Sequence, residues 1–101
     1  MRRTRQRRPS TLEQAIGQVL LEHREERGLS QMDLAVAAGY SLRYIGDVER
    51  GTKSATMRTM NDLATLLDVS LGSLIVEAED LLLASRRLRK RPVTAKGKKS
   101  K

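Results

Sequence analysis

The sequence predicts an all-α fold, and three observations carry that prediction. The core must be built from Leu, Ile, Val, Met and Ala, because the chain has no Phe or Trp and two Tyr, a palette that suits packed helices better than sheet. Apolar residues recur at intervals of 3 and 4, the period of an amphipathic helix. Ser or Thr stands before these runs and Gly or Asp behind them, the residue types that start and stop helices.

Taken in order, Ser10 with Glu13 has the form of a capping box and opens a first helix whose inward residues are Ile16, Val19, Leu20 and His23, up to Gly28. Ser30 with Asp33 opens a short second helix that turns Leu34, Ala35 and Ala38 inward and stops at Gly39. After Tyr40 alone, Ser41 caps a third helix with Ile45 and Val48 inward and Gly51 behind it. Thr56 caps a fourth, with Met57, Met60, Leu63, Ala64 and Leu67 on one stripe, and Asp68 occupies its C-terminal turn. Ser70 caps a fifth, along which Leu71, Leu74, Ala78, Leu81, Ser85 and Leu88 step in the 3-4 rhythm of a coiled-coil seam. Pro92 is expected to stop it, leaving 92–101 disordered.

With 101 residues there is room for one core. The organisation read from the chain is a basic arm over 1–10, a domain over 11–76, an extension of the fifth helix over 77–91 and a basic tail over 92–101. The net charge of +8 conceals an asymmetry: residues 1–10 hold five Arg and residues 86–101 nine Lys and Arg, with no acid in either, whereas 11–85 hold six basic against twelve acidic residues. The ends therefore carry +14 around a body of −6. Basic blocks of this kind neutralise phosphates.

No Cys and one His exclude disulfides, thiolate chemistry and a histidine metal cluster. There is no Gly-rich phosphate loop and no paired carboxylate in an evident pocket, so no catalytic residue, metal, cofactor or small-molecule substrate is expected. No apolar run approaches the roughly 18 residues of a membrane span, and the arm lacks the apolar stretch of a secretory signal. The expected location is cytoplasmic, with the nucleoid.

The segment 24–51 is a helix end, two short capped helices and a one-turn glycine elbow between them, which is a helix-turn-helix. A major groove about 12 Å wide admits one helix, and the elbow sends the helix over 41–50 into it. With Ile45 and Val48 facing the core, Leu42, Arg43, Gly46, Asp47 and Arg50 are expected to face outward.

The stretches HREERGLSQMDLAVAAGYSLRYIGDVERG and TMRTMNDLATLLDVSLGSLI resemble the Cro and phage-repressor type of helix-turn-helix, the Xre family, over about residues 14–76. The resemblance implies a five-helix, lambda-repressor-like domain that binds double-stranded operator DNA without catalysis, usually as a two-fold dimer. It implies a backbone contact for Gln31, base contacts for Leu42, Arg43 and Asp47, and phosphate contacts for Ser41, Tyr44, Arg50 and Lys53. It also implies a structural ion pair between Arg24 and Glu49. Arg43 is the foremost reader, since an Arg fork donates two hydrogen bonds to guanine. Leu42 fits a thymine methyl, and Asp47 either accepts from cytosine or positions Arg43 or Arg50.

The chain departs from the family in Gly46 within the reading helix, Ala55 where Pro is usual, Asp68 where Gly is usual, and the acidic body. His23 reads as a packing residue, and Met57 and Met60 as core. Leu81, Leu82, Leu83 and Leu88 lie past the expected core and point to a homodimer on the fifth helix. The competing readings are a protein-interaction module of the same fold, such as a coactivator or antitoxin, and RNA binding by the tails, which lack stacking aromatics.

Overall fold

The computed structural model of the chain describes residues 8–97, with side chains through residue 88. Five helices follow one another as α1 (Leu12–Glu26), α2 (Gln31–Ala38), α3 (Leu42–Arg50), α4 (Met57–Leu66) and α5 (Leu71–Gly97), and the described residues contain no strand. Most of the basic arm, residues 1–7, and the last four residues of the tail lie outside the described residues.

Four of the five starts follow the expected caps, and one is shifted. Ser30, Ser41 and Thr56 hold extended backbone and accept the N–H three residues on, and the Ser70 hydroxyl accepts the N–H of Ser73 at 3.0 Å. At α1 the cap is Thr11, which accepts the Gln14 N–H, while the Gln14 carboxamide accepts the Ser10 N–H at 2.7 Å. Glu13, the expected box partner of Ser10, instead accepts from the Ser54 hydroxyl at 3.1 Å. Asp68 takes the left-handed turn after α4 (φ 61°).

Leu20, Leu34, Ile45, Leu63 and Leu74, one from each helix, are fully buried and form the centre of the core. Burying a side chain of this size stabilises by roughly 1.5–3 kcal/mol. Met60 belongs to this core but Met57 does not: it lies at the start of α4 with 67% exposure, outside the stripe. Gly17 marks the closest approach of two helices. A Cβ there would fall on the carbonyl oxygens of Val48 and Glu49, so α1 and α3 pack backbone to backbone.

The fifth helix corrects two expectations. Its 3-4 seam turns inward onto the rest of the domain as far as Ser85: Leu74, Ala78 and Ser85 are buried, Leu71 and Leu81 pack against the core, and Leu82, outside the seam, is buried beside them. Leu81 and Leu82 therefore do not lie beyond the core, because α5 runs along α1 rather than leaving the domain. Leu83 and Leu88 remain exposed, as does Val76. Pro92 does not end the helix, which continues to Gly97. The helix runs on although an interior proline forfeits a backbone hydrogen bond and crowds the preceding turn, and the structure gives no reason for its tolerance here.

Candidate nucleic-acid interface

The elbow between α2 and α3 is built from local chemistry. Ser30 and Asp33 satisfy each other's backbone N–H groups at 2.9 Å, and these bonds, the backbone one first, hold the Asp33 carboxyl below its ordinary range. Gly39 takes a left-handed conformation (φ 80°) that a side chain would resist, and Ser41 starts α3 two residues later by accepting the Tyr44 N–H at 3.0 Å. Tyr40 anchors the turn to α4 through a 2.8 Å bond from its hydroxyl to Asp62. Its ring meets that of Tyr44 at 5.4 Å, which leaves Tyr44 half-buried against the elbow.

Beneath α3 lies a buried polar network. The Arg24 guanidinium donates to both carboxylate oxygens of Glu49, at 2.7 and 3.0 Å, and to the Leu29 carbonyl at 2.8 Å. Those bonds to Glu49 outweigh burial and hold the Arg24 pKa above its ordinary value. Gln31 adds a 2.8 Å bond from its carboxamide N–H to Glu49. The first side chain of α2, the end of α1 and the end of α3 are thus locked by one carboxylate.

At its N-terminal end α3 presents Ser41, Leu42 and Arg43 as exposed side chains. Among the described residues no carboxylate pairs with Arg43. The C-terminal end departs from the sequence expectation: Gly46 and Asp47 do not face solvent, and Asp47 is 9% exposed. Its carboxylate accepts from Arg50 at 2.7 Å and from the Thr52 hydroxyl at 3.3 Å, and Lys53 approaches within 3.9 Å. The Arg50 guanidinium folds back along the helix, and a Cβ on Gly46 would stand 3.1 Å from one of its nitrogens. Asp47 is therefore covered by its own neighbours and positions Arg50, the second of the roles open to it. Arg50 and Lys53 stay mostly exposed.

Sequence reasoning missed Thr52, whose N–H and hydroxyl both donate to the Asp47 carbonyl, and the tie from Tyr40 to Asp62. It also missed the role of His23, which is half-buried and bonds Glu77 of α5 at 2.8 Å instead of only packing. The spacing of His23 and Glu77 carries no signal; only the pairing of α1 with α5 joins them. No group of acidic or histidine side chains among the described residues is arranged to hold a metal ion. No described helix is long and apolar enough to cross a membrane.

The helix-turn-helix family model matches residues 20–74. The chain belongs to that family. It is 30% identical over 71 residues to y4dJ, an HTH-type transcriptional regulator of Sinorhizobium fredii, a match that covers 70% of this chain and 92% of the relative. Among solved structures it is similar to the clp gene regulator ClgR of Corynebacterium glutamicum (TM-score 0.74, 25% identity, 87% of this chain and 94% of that one). It is also similar to the restriction-modification controller protein C.AhdI of Aeromonas hydrophila (TM-score 0.58, 39% identity, 60% and 92%). The Cro and phage-repressor resemblance and the five-helix fold hold, and the chain is a DNA-binding transcriptional regulator of this helix-turn-helix family.

Proposed function

We propose that this regulator is a repressor that reads a duplex operator with the N-terminal end of α3, using residues 11–76 as the DNA-binding unit. The observation that carries the reading is the exposed Arg43 at the tip of a helix whose base is fixed by the buried network of Arg24, Glu49 and Gln31. A fork mounted on a fixed helix end, with no carboxylate to give up, can reach guanine O6 and N7. Leu42 takes an apolar contact beside it. Ser41, Arg50 and Lys53 face phosphates, with Arg50 preset by Asp47. Tyr44 and Gln31 contribute at the edge of that surface, each already holding a protein partner. The protein is not an enzyme on this reading, takes no cofactor, and works with DNA in the cytoplasm.

A homodimer completes the reading. With the inward seam consumed by the core, Val76 and Leu83 remain at 54% and 47% exposure, seven residues apart on the outer face of α5. Pairing of two copies there sets two reading helices on one side of a near-palindromic site.

Selection of bound duplexes from a random pool tests the proposal. The expected result is an enriched motif with two half-sites about one helical turn apart. A pool that never departs from random sequence contradicts it and favours a protein partner for the same fold.

A further inference from the structure

We propose that Gly46 is a positioning residue for DNA: its missing side chain makes a seat on α3 for the Arg50 guanidinium, from which Arg50 binds a phosphate of the duplex. The proposal rests on the DNA-binding reading above. By period Gly46 belongs to the same helix face as Arg43, three residues before it, and Arg50, four residues after it. What buries it is the second of these arginines. A Cβ on Gly46 would have Nη1, Nη2 and Cζ of Arg50 as its nearest neighbours outside the helix backbone, at 3.1, 3.6 and 3.7 Å.

No other demand accounts for a glycine here. Gly28, Gly39 and Gly51 hold left-handed backbone, and Gly46 does not. At Gly17 the backbone of another helix occupies the place of a Cβ, whereas above Gly46 the closest atoms are those of the guanidinium. The ends of α3 are capped by Ser41 and Gly51, so Gly46 neither starts nor stops the helix. A glycine inside a helix is destabilising relative to Ala, which makes the space it leaves the property that matters.

Gly46 is the floor of the seat and Asp47 its wall. The Asp47 Oδ1 accepts from Nη2 of Arg50 at 2.7 Å and from the Thr52 hydroxyl at 3.3 Å. One N–H of the guanidinium is thereby engaged, and with the Arg50 side chain 55% exposed the rest of its fork is left for a phosphate, which accepts two parallel bonds. A guanidinium already held in place gives up less rotamer freedom on binding than a free one. With a methyl group at position 46, the guanidinium must give way by a few tenths of an ångström and leaves that seat.

The test is a cycle of four full-length proteins: the natural chain, Gly46→Ala, Arg50→Ala and the double variant. Each is titrated on the selected duplex and on random duplex at several salt concentrations. Gly46→Ala should weaken binding to both duplexes about threefold or more, part of what a hydrogen bond to a charged group contributes. Arg50→Ala should lower the slope of log affinity against log salt by about 0.9 for each phosphate released. Once Arg50 is Ala, adding Gly46→Ala should change affinity no further. Thermal unfolding should show Gly46→Ala at least as stable as the natural chain, which separates weaker binding from loss of fold.

The same loss from Gly46→Ala with and without Arg50 means that DNA meets Gly46 itself, and overturns the seat. Unchanged or tighter binding by Gly46→Ala overturns it as well, by making the glycine no more than a soft point in the helix. A salt slope that Arg50→Ala leaves unchanged, or a loss confined to the selected duplex, overturns the phosphate contact. Because the coupling of positions 46 and 50 is also read on random duplex, it stands or falls separately from base reading by Arg43, on which only the selected duplex reports.

Discussion

Arg24 and Glu49, 25 residues apart, close a two-pronged ion pair in the interior, with both side chains under 10% exposed. Removing one partner strands the other charge in a place where water does not reach it. Glu49→Ala is expected to cost about 3–5 kcal/mol of stability in urea denaturation. Replacing both partners with apolar residues of similar size, Arg24→Met with Glu49→Leu, is expected to cost far less than the single change. A double variant as unstable as the sum of the singles contradicts this account of the pair.

Gly17 is needed for its missing side chain, since α1 and α3 meet there backbone to backbone. Gly17→Ala is expected to separate the two helices and cost at least about 2 kcal/mol, at the upper part of the range for overpacking. Gly72, in the first turn of α5, has open space where its Cβ would stand. Gly72→Ala is therefore expected to stabilise by up to about 1 kcal/mol. Thermal unfolding of the two variants checks the opposite signs.

The capping bonds of Ser30 hold the Asp33 carboxyl low. A carboxyl depressed on folding adds stability that is present above its unfolded pKa, about 3.9, and is lost as pH falls through the folded value. Asp33→Asn is expected to be less stable than the natural chain at neutral pH, and the gap is expected to close on acidification below about pH 4. Denaturant midpoints measured from pH 6 downward check it; a gap independent of pH contradicts the assignment.

Much of this architecture was legible because its signals are local. The capping triplets at Ser30, Ser41 and Thr56 and the glycine at position 39 fix helix ends within three or four residues, so no knowledge of the rest of the fold was needed. The reading helix followed from the capped elbow, and the ion pair came from resemblance. Sequence reasoning failed where period alone does not decide exposure: Asp47 has the right period to face outward, yet the side chains of Arg50 and Thr52, three and five residues on, close over it. The seam of α5 was read with the right spacing and the wrong partner, because the same 3-4 stripe serves a second copy or the chain's own α1 equally well. Gly17 gave no signal at all, since a glycine inside a helix looks like a weakness until the neighbouring backbone is in view.

Because the inner face of α5 is buried as far as Ser85, charge placed on it and charge placed on the outer face should act differently. Leu82→Glu is expected to unfold the domain, by burying an unpaired carboxylate. Val76→Glu with Leu83→Glu is expected to leave the helical circular dichroism intact and convert the proposed dimer to monomer in sedimentation at micromolar concentration. A natural chain already monomeric under those conditions contradicts the homodimer.

The central claim is that α3 reads base sequence through Arg43. Its most direct test is the affinity of Arg43→Ala, relative to the natural chain, on the duplex that selection enriches and on random duplex at the same salt. The account predicts a loss of about 1–3 kcal/mol on the selected site with little change on random DNA. An equal loss on both would make Arg43 a phosphate contact and contradict the claim.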